Sequence, residues 1–155
     1  MPQRLERRAE EIMSHDVLTA PANAPIREVV RAMVDRGKAC VVVVDEGRPV
    51  GIVLERDLLP LAVEEGTPPA VALRELLHDE AHILAFVREM RKASAAQVGE
   101  VMESPVQSVE TGMTIPEVAS VLEVFGCAQV PVVRDGRLVG LITCADIIRA
   151  LAEEP

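Results

Sequence analysis

The sequence predicts a mixed α/β (α+β) fold in which one βαββα unit occurs twice in tandem, with a helical segment between the copies. Three observations carry this. Residues 11–61 align without a gap onto residues 100–150 at an offset of 89 positions. Within each copy the apolar spacing changes from helical to strand-like in the same order. The chain has 155 residues, of which 49% are hydrophobic and 26% charged, a composition suited to one well-filled globular unit.

Each element can be justified in turn. After Met13 and Met102 comes a short extended segment, 17–20 in copy one and 106–109 in copy two, followed by a polar turn. A helix follows, with apolar residues at i, i+3, i+4 and i+7: Ile26, Val29, Val30 and Met33, then Ile115, Val118, Ala119 and Leu122. Thr114 and Glu117 form a capping-box pair for the second helix, and Gly37 and Gly126 stand where helix-ending glycines belong. Two β-rich runs joined by a tight turn come next. They cover 41–44 and 50–53 around Asp45-Glu46-Gly47-Arg48, mirrored by 130–133 and 139–142 around 134–137. A closing helix starts near Glu55 and near Cys144. Ahead of copy one, Leu5, Ala9 and Ile12 have near-helical spacing. Between the copies, Gly66-Thr67-Pro68-Pro69 breaks the pattern before a helix expected over 71–92, whose wide apolar face suits packing against a partner subunit. The expected organisation is therefore 1–61 (N-terminal helix plus repeat one), 62–97 (helical linker) and 98–155 (repeat two).

Composition excludes several function classes. The net charge of −9 and the presence of only two aromatic residues, Phe86 and Phe125, disfavour non-specific nucleic-acid binding, which needs cationic surfaces and stacking platforms. The longest apolar run, 39–44, is far short of a membrane span, and the N-terminus has no apolar secretory core. A soluble, cytoplasmic protein is expected. Cys40, Cys127 and Cys144 are odd in number and lack CxxC spacing, which points to reduced thiols. No nucleophile elbow, P-loop or dinucleotide glycine fingerprint is present, so no enzyme activity is expected. His78 and His82, four residues apart with Glu75, Asp79 and Glu80 nearby, could seed a metal site, but they have no evident third ligand, and a solvated helix face is the better reading.

The joint pattern of the two copies resembles the cystathionine β-synthase (CBS) domain. In copy one it runs Met13-Ser14-His15-Asp16-Val17-Leu18-Thr19 and Gly47-Arg48-Pro49-Val50-Gly51-Ile52-Val53-Leu54-Glu55-Arg56-Asp57. In copy two it runs Met102-Glu103-Ser104-Pro105-Val106-Gln107-Ser108 and Gly136-Arg137-Leu138-Val139-Gly140-Leu141-Ile142-Thr143-Cys144-Ala145-Asp146. The resemblance implies that the copies pack as a pseudo-twofold pair, a Bateman module, and that such modules associate into homodimers. It also implies a regulatory ligand containing adenosine (AMP, ADP, ATP or S-adenosylmethionine) and an effector protein that responds to it; Mg²⁺ could supply the charge a triphosphate needs where local cations are few. No catalytic cofactor is implied.

By the same resemblance Thr143 bonds ribose or phosphate and Asp146 accepts the ribose hydroxyls, while Pro105, Val106, Gln107, Ala128, Gln129, Val130 and Pro131 build the base pocket. The chemistry is sound, because a helix N-terminus favours an anion and a carboxylate can accept two hydroxyls of a vicinal diol. The same Thr143-x-x-Asp146 spacing is also that of a capping box needing no ligand, and Val106, Val130 and Pro131 are equally good core residues. Copy one departs from the motif: Leu54 replaces the hydroxyl residue although Arg56 and Asp57 remain, leaving a doubtful second site. Between 98 and 155 only Arg134, Arg137 and Arg149 offset nine acidic residues. Few phosphates or a sulfonium are therefore favoured over bare ATP, unless Arg27, Arg31, Arg36, Lys38 or Arg56 reach across from copy one. A ligand-free dimerisation module is the alternative reading, and a metal-binding protein a weaker one.

Overall fold

The fold was obtained as a computed structural model, which describes residues 6–58 and 97–153. The linker helix expected over 71–92, with His78 and His82 on it, lies outside the described residues. Copy one comprises α1 (Ala9–Ile12), β1 (Thr19–Ala20), α2 (Ile26–Arg36), β2 (Cys40–Asp45), β3 (Arg48–Leu54) and α3 (Glu55–Leu58). Copy two opens with a 3₁₀ turn, Val98–Glu100, then β4 (Val109–Glu110), α4 (Ile115–Phe125), β5 (Gln129–Arg134), β6 (Arg137–Thr143) and α5 (Cys144–Ala152). The extended segments expected before α2 and α4 are two residues long as strands.

Each copy forms one three-stranded sheet, ordered β1-β2-β3 and β4-β5-β6, with the first strand parallel and the last antiparallel to the central one. The hairpin turns are equivalent. Glu46-Gly47 and Asp135-Gly136 all have positive φ, 51° and 82° in one and 53° and 80° in the other, which is the twist that joins two antiparallel strands by two residues. Gly37 and Gly126 end α2 and α4 in the left-handed conformation, as expected.

The central strands are apolar without alternation because both of their faces are covered. Val41, Val43 and Val53 pack beneath Val29 and Met33 of α2, while Cys40, Val42 and Ile52 on the opposite face meet Val106, Leu138 and Leu141 of copy two. In copy two Val130, Val132 and Ile142 pack beneath Ile115, Val118 and Leu122 of α4. Burying a Val or Ile fully is worth about 1.5–3 kcal/mol, so these residues dominate the stability of each copy and of the junction between them.

The leading segments exchange. Ala9 is fully buried in the core of copy two, and Val98 is fully buried in the core of copy one. The exchange repeats bond for bond at the offset of 89. Ala9 N donates to Met113 O at 2.8 Å and Val98 N to Ala24 O at 2.9 Å. Ser14 pairs with Leu141 beside β6, and Glu103 pairs with Ile52 beside β3. Gly140 and Gly51 permit this approach. A methyl group on Gly140 would meet Met13 Sδ and come 3.0 Å from Ser14 O; one on Gly51 would meet Met102 Sδ and come 3.1 Å from Glu103 O. The segments that open each repeat therefore bind the two repeats together as a pseudo-twofold pair.

Candidate functional site

Two equivalent corners follow from this architecture, each where the last strand of a copy turns into its closing helix. In copy two the corner is a complete capping box. Thr143 Oγ1 accepts from Asp146 N at 3.2 Å, and Asp146 Oδ2 accepts from Thr143 N at 2.8 Å and from Thr143 Oγ1 at 3.0 Å. Asp146 Oδ1 accepts from Arg149 at 3.1 Å. The carboxylate is only 14% exposed, whereas the Arg149 side chain is 66% exposed. An ionised carboxylate offers about four acceptor positions. Three are used, and the fourth becomes two if the exposed Arg149 swings away, which matches the two donors of a vicinal diol.

The other residues expected in the site are distributed unevenly around this corner. Gln129 is half-buried and pairs directly with Thr143, and exposed Ala128 accepts from Cys144 N at 3.0 Å. Val130 is fully buried in the core of copy two and Pro131 is buried, so Val130 offers backbone to a ligand and its side chain to the core. The Pro105–Gln107 stretch runs from the edge of β3, where Ser104 Oγ donates to Val50 O at 3.0 Å, towards β4. Pro105 is exposed, Gln107 is half-buried and Val106 packs into the junction with copy one.

Copy one presents a different corner. Leu54 N donates to Asp57 Oδ2 at 2.9 Å, so the backbone half of the box survives. Leu54 itself packs into the junction cluster beside Val106, Leu138 and Leu141. Arg56 reaches across to Glu103 at 3.2 Å. Positions 14 and 145 are Ser14 and Ala145, so this clasp has no counterpart in copy two. Among the described residues, cavities open on copy one. One, of about 210 Å³, lies between β1 and α2 against Leu18, Val29 and Val41; another, of about 430 Å³, lies between α2 and α3 against Met33, Lys38, Glu55 and Leu58. Neither touches Thr143 or Asp146.

The cations expected to assist a phosphate are largely committed elsewhere. Arg36 and Lys38 hold Asp16, Lys38 at 2.8 Å. The Lys38 hydrogen bond and charge, with a smaller contribution from Arg36, hold the Asp16 carboxyl below the usual range. Arg134 is paired with Glu10 at 2.7 Å and Arg7 with Glu153. Arg48 and Arg137 lie over the opposite hairpin turns, Arg137 reaching within 2.9 Å of where a methyl on Gly47 would stand. Burial pushes the Cys40 thiol up and Lys38 partly offsets it; burial is also the main cause raising Cys127. Among the described residues no cluster of three His, Cys, Asp or Glu could hold a metal ion, and no helix is long and apolar enough to cross a membrane.

With this geometry in place, comparison with known proteins defines the class. The family model described as CBS domain matches residues 9–64 and again 98–153. The chain belongs to the CBS domain family and carries two copies of the domain. Among curated relatives, an uncharacterised protein, MK0525 of Methanopyrus kandleri, is 27% identical over 141 residues, 90% of this chain and 60% of its own length. The chain thus spans less than two thirds of that relative. Among solved structures, the CBS domain of a CBS domain-containing membrane protein from Sphaerobacter thermophilus superimposes with a TM-score of 0.71 at 23% identity, covering 99% of this chain and 93% of that one. The CBS domain pair of MJ0100 in complex with 5′-methylthioadenosine and S-adenosylmethionine gives 0.64 at 23% identity, over 93% and 94%. CBSX2 in complex with AMP gives 0.66 at 20% identity, over 94% and 96%. These likenesses establish the fold as that of a CBS domain pair.

Proposed function

We propose that this chain is a regulatory, non-catalytic CBS pair that binds an adenosine-containing ligand at the copy-two corner and passes its occupancy to an effector protein by a change of conformation. The supporting observation is the Asp146 carboxylate. It is nearly enclosed, oriented by Thr143, and able to offer two acceptor positions to a ribose diol once Arg149 turns outward. Two structural neighbours with bound adenosine compounds support the ligand class. Gln107, Ala128 and Gln129 would frame the base, with Pro105 and Val106 at its edge and the backbone of Val130 and Pro131 behind it.

The ion pairs narrow the ligand. With Arg36, Lys38, Arg56, Arg134 and Arg149 already opposite carboxylates, a triphosphate would have to break pairs or bring Mg²⁺. AMP, ADP or the sulfonium S-adenosylmethionine is therefore favoured over bare ATP. At the copy-one corner Leu54 belongs to the junction core and Arg56 is clasped to Glu103, which argues for one working site per chain, with Asp57 serving the fold. We place the protein in the cytoplasm as a homodimer. Val34, Val124, Phe125 and Ile148, exposed at 75%, 76%, 55% and 65%, form apolar helix faces suited to a second copy.

A ligand-free dimerisation module is the second reading, favoured by one observation: Thr143 and Asp146 satisfy each other's hydrogen bonds as a complete helix cap. Calorimetric titration of AMP, ADP, ATP with and without Mg²⁺, and S-adenosylmethionine into wild type and Asp146→Ala separates the two. Binding that Asp146→Ala abolishes in a folded protein supports the sensor. No heat and no thermal stabilisation at millimolar ligand supports the dimerisation module.

A further inference from the structure

The three cysteines differ in setting. Cys40 is buried in the junction core, Cys127 is half-buried and Cys144 is exposed. Cys144 opens α5 immediately after Thr143, and its N–H donates to Ala128 O at 3.0 Å. Cys127, one residue before Ala128, is fixed by its own N–H donating to Leu122 O at 3.0 Å. The two thiols therefore hang from one corner, a single diagonal step apart at the open end of the β5–β6 hairpin. Cys144 is thus hydrogen-bonded to the residue next to Cys127, the proximity needed for a disulfide, whose Cα separation is about 4.4–6.8 Å.

Copy one supplies an independent view of the same corner. Lys38 and Glu55 occupy the matching positions, Glu55 N donates to Ala39 O at 3.1 Å, and both residues line the 430 Å³ cavity between α2 and α3. In copy one the two positions open onto a common space; in copy two both carry sulfur, with Cys127 packed against the edge of the copy-two core and Cys144 exposed. The raised Cys127 thiol agrees, since after burial the nearby Cys144 adds to the push.

We propose that Cys127 and Cys144 are a redox pair that closes a reversible intramolecular disulfide linking the end of α4 to the start of α5. The oxidant class is a small-molecule disulfide such as oxidised glutathione. Exposed Cys144, as thiolate after loss of its proton to solvent, attacks one glutathione sulfur, and the other leaves as thiolate and takes up a proton. Cys127 then loses its proton and attacks Cys144 Sγ, expelling the second glutathione. Two protein thiols are oxidised to one disulfide, and one glutathione disulfide is reduced to two thiols. The bond would fix the relative placement of α4 and α5, the helices that carry exposed Val124, Phe125 and Ile148, whatever ligand the neighbouring Asp146 takes.

The test equilibrates the wild-type chain with glutathione redox buffers, quenches with acid, alkylates free thiols and maps non-reduced peptides by mass spectrometry. The expected product is a chain with no inter-chain cross-link in which Cys127 is joined to Cys144, Cys40 is alkylated only after unfolding, and dithiothreitol restores all three thiols. In Cys127→Ser the reaction should stop at a Cys144–glutathione adduct, accumulating about tenfold more than in wild type because nothing resolves it. Equal adduct levels in the two proteins, cross-links between chains, or no loss of thiol across the buffers would overturn the proposal.

Discussion

The two capping aspartates make a controlled comparison, because the backbone around them is equivalent and their partners are not. Asp146→Ala removes the acceptor of the Thr143 N–H and hydroxyl and the partner of Arg149. Loss of a helix cap costs about 1 kcal/mol within a range of about 0.5–2. The Arg149 pair adds at most a few tenths of a kcal/mol more after discounting for its exposure, so the expected destabilisation is about 1–2 kcal/mol. Asp57→Ala removes only the acceptor of the Leu54 N–H, and about 0.5–1 kcal/mol is expected. For a chain of this size about 1 kcal/mol corresponds to about 2–4 °C in Tm, so Asp146→Ala should melt about 2–8 °C below wild type and below Asp57→Ala. Asp146→Asn, which keeps an acceptor for the Thr143 N–H but loses the charge facing Arg149, should recover roughly half of the loss. Paired urea and thermal unfolding without ligand measures all four proteins. An Asp146→Ala protein within about 0.3 kcal/mol of wild type would refute the reasoning, since the carboxylate would then contribute nothing to the free fold and the box would not be a structural cap.

Two further outcomes follow from the geometry. Gly140→Ala drives a methyl into Met13 Sδ, 2.7 Å from Met13 Cγ, and should cost about 1–3 kcal/mol, with Met13→Ala in the same chain restoring part of it through a favourable coupling of about 0.5–3 kcal/mol. Additivity within about 0.5 kcal/mol would mean that the leading segment of copy one does not lie on β6. Asp16, whose pKa is lowered chiefly by Lys38, stabilises the fold above its unfolded-state pKa, and that stabilisation is lost as pH falls through the folded-state value. NMR titration should place its midpoint below the ordinary carboxylate range, and Lys38→Met should raise it; an unmoved midpoint would remove Lys38 as the cause.

Much of the fold was legible because the repeat states each element twice. The helix-ending Gly37 and Gly126, the turns at Gly47 and Gly136 and the unbroken apolar runs of β2 and β5 all stand where the pattern puts them. The exchange of leading segments was not legible. An offset of 89 says that Met13 and Met102 are equivalent, but equivalence is the same whether each methionine packs on its own copy or on the other. The burial of Ala9 among copy-two residues and of Val98 among copy-one residues, with the backbone bonds each makes to the other copy, decides it. The pairing of Arg36 and Lys38 was not legible for a related reason: their charge is visible in sequence, but their partner, the carboxylate of Asp16, is twenty or more residues away along the chain. The Thr143–Asp146 spacing fits a cap and a ribose contact alike, because both need the same helix start and the same carboxylate.

The pair is symmetric in backbone and asymmetric in chemistry, and the asymmetry falls at the two corners. Copy one replaces the hydroxyl by Leu54, which joins the junction core, and adds the Arg56–Glu103 clasp, for which Ser14 and Ala145 provide no mate. Copy two keeps Thr143 and Asp146 and carries Cys127 and Cys144 where copy one has Lys38 and Glu55. These differences close one corner and leave the other open to exchange of partners: Leu54 brings no hydroxyl to a ligand, whereas an enclosed carboxylate with one exposed cation can trade that cation for another donor at little cost, and the exposed Arg56–Glu103 pair is equally easy to break. A ligand can shift a two-state equilibrium only through its differential affinity for the two states. A module with one closed and one exchangeable corner concentrates that difference on a single site, so any response to ligand would be read at Asp146. Because the Arg56–Glu103 pair is exposed, Arg56→Ala should change stability by no more than about 1 kcal/mol in urea unfolding and leave any ligand affinity at the copy-two corner unchanged in calorimetry; a larger loss of either would show that the pair holds the two copies in place.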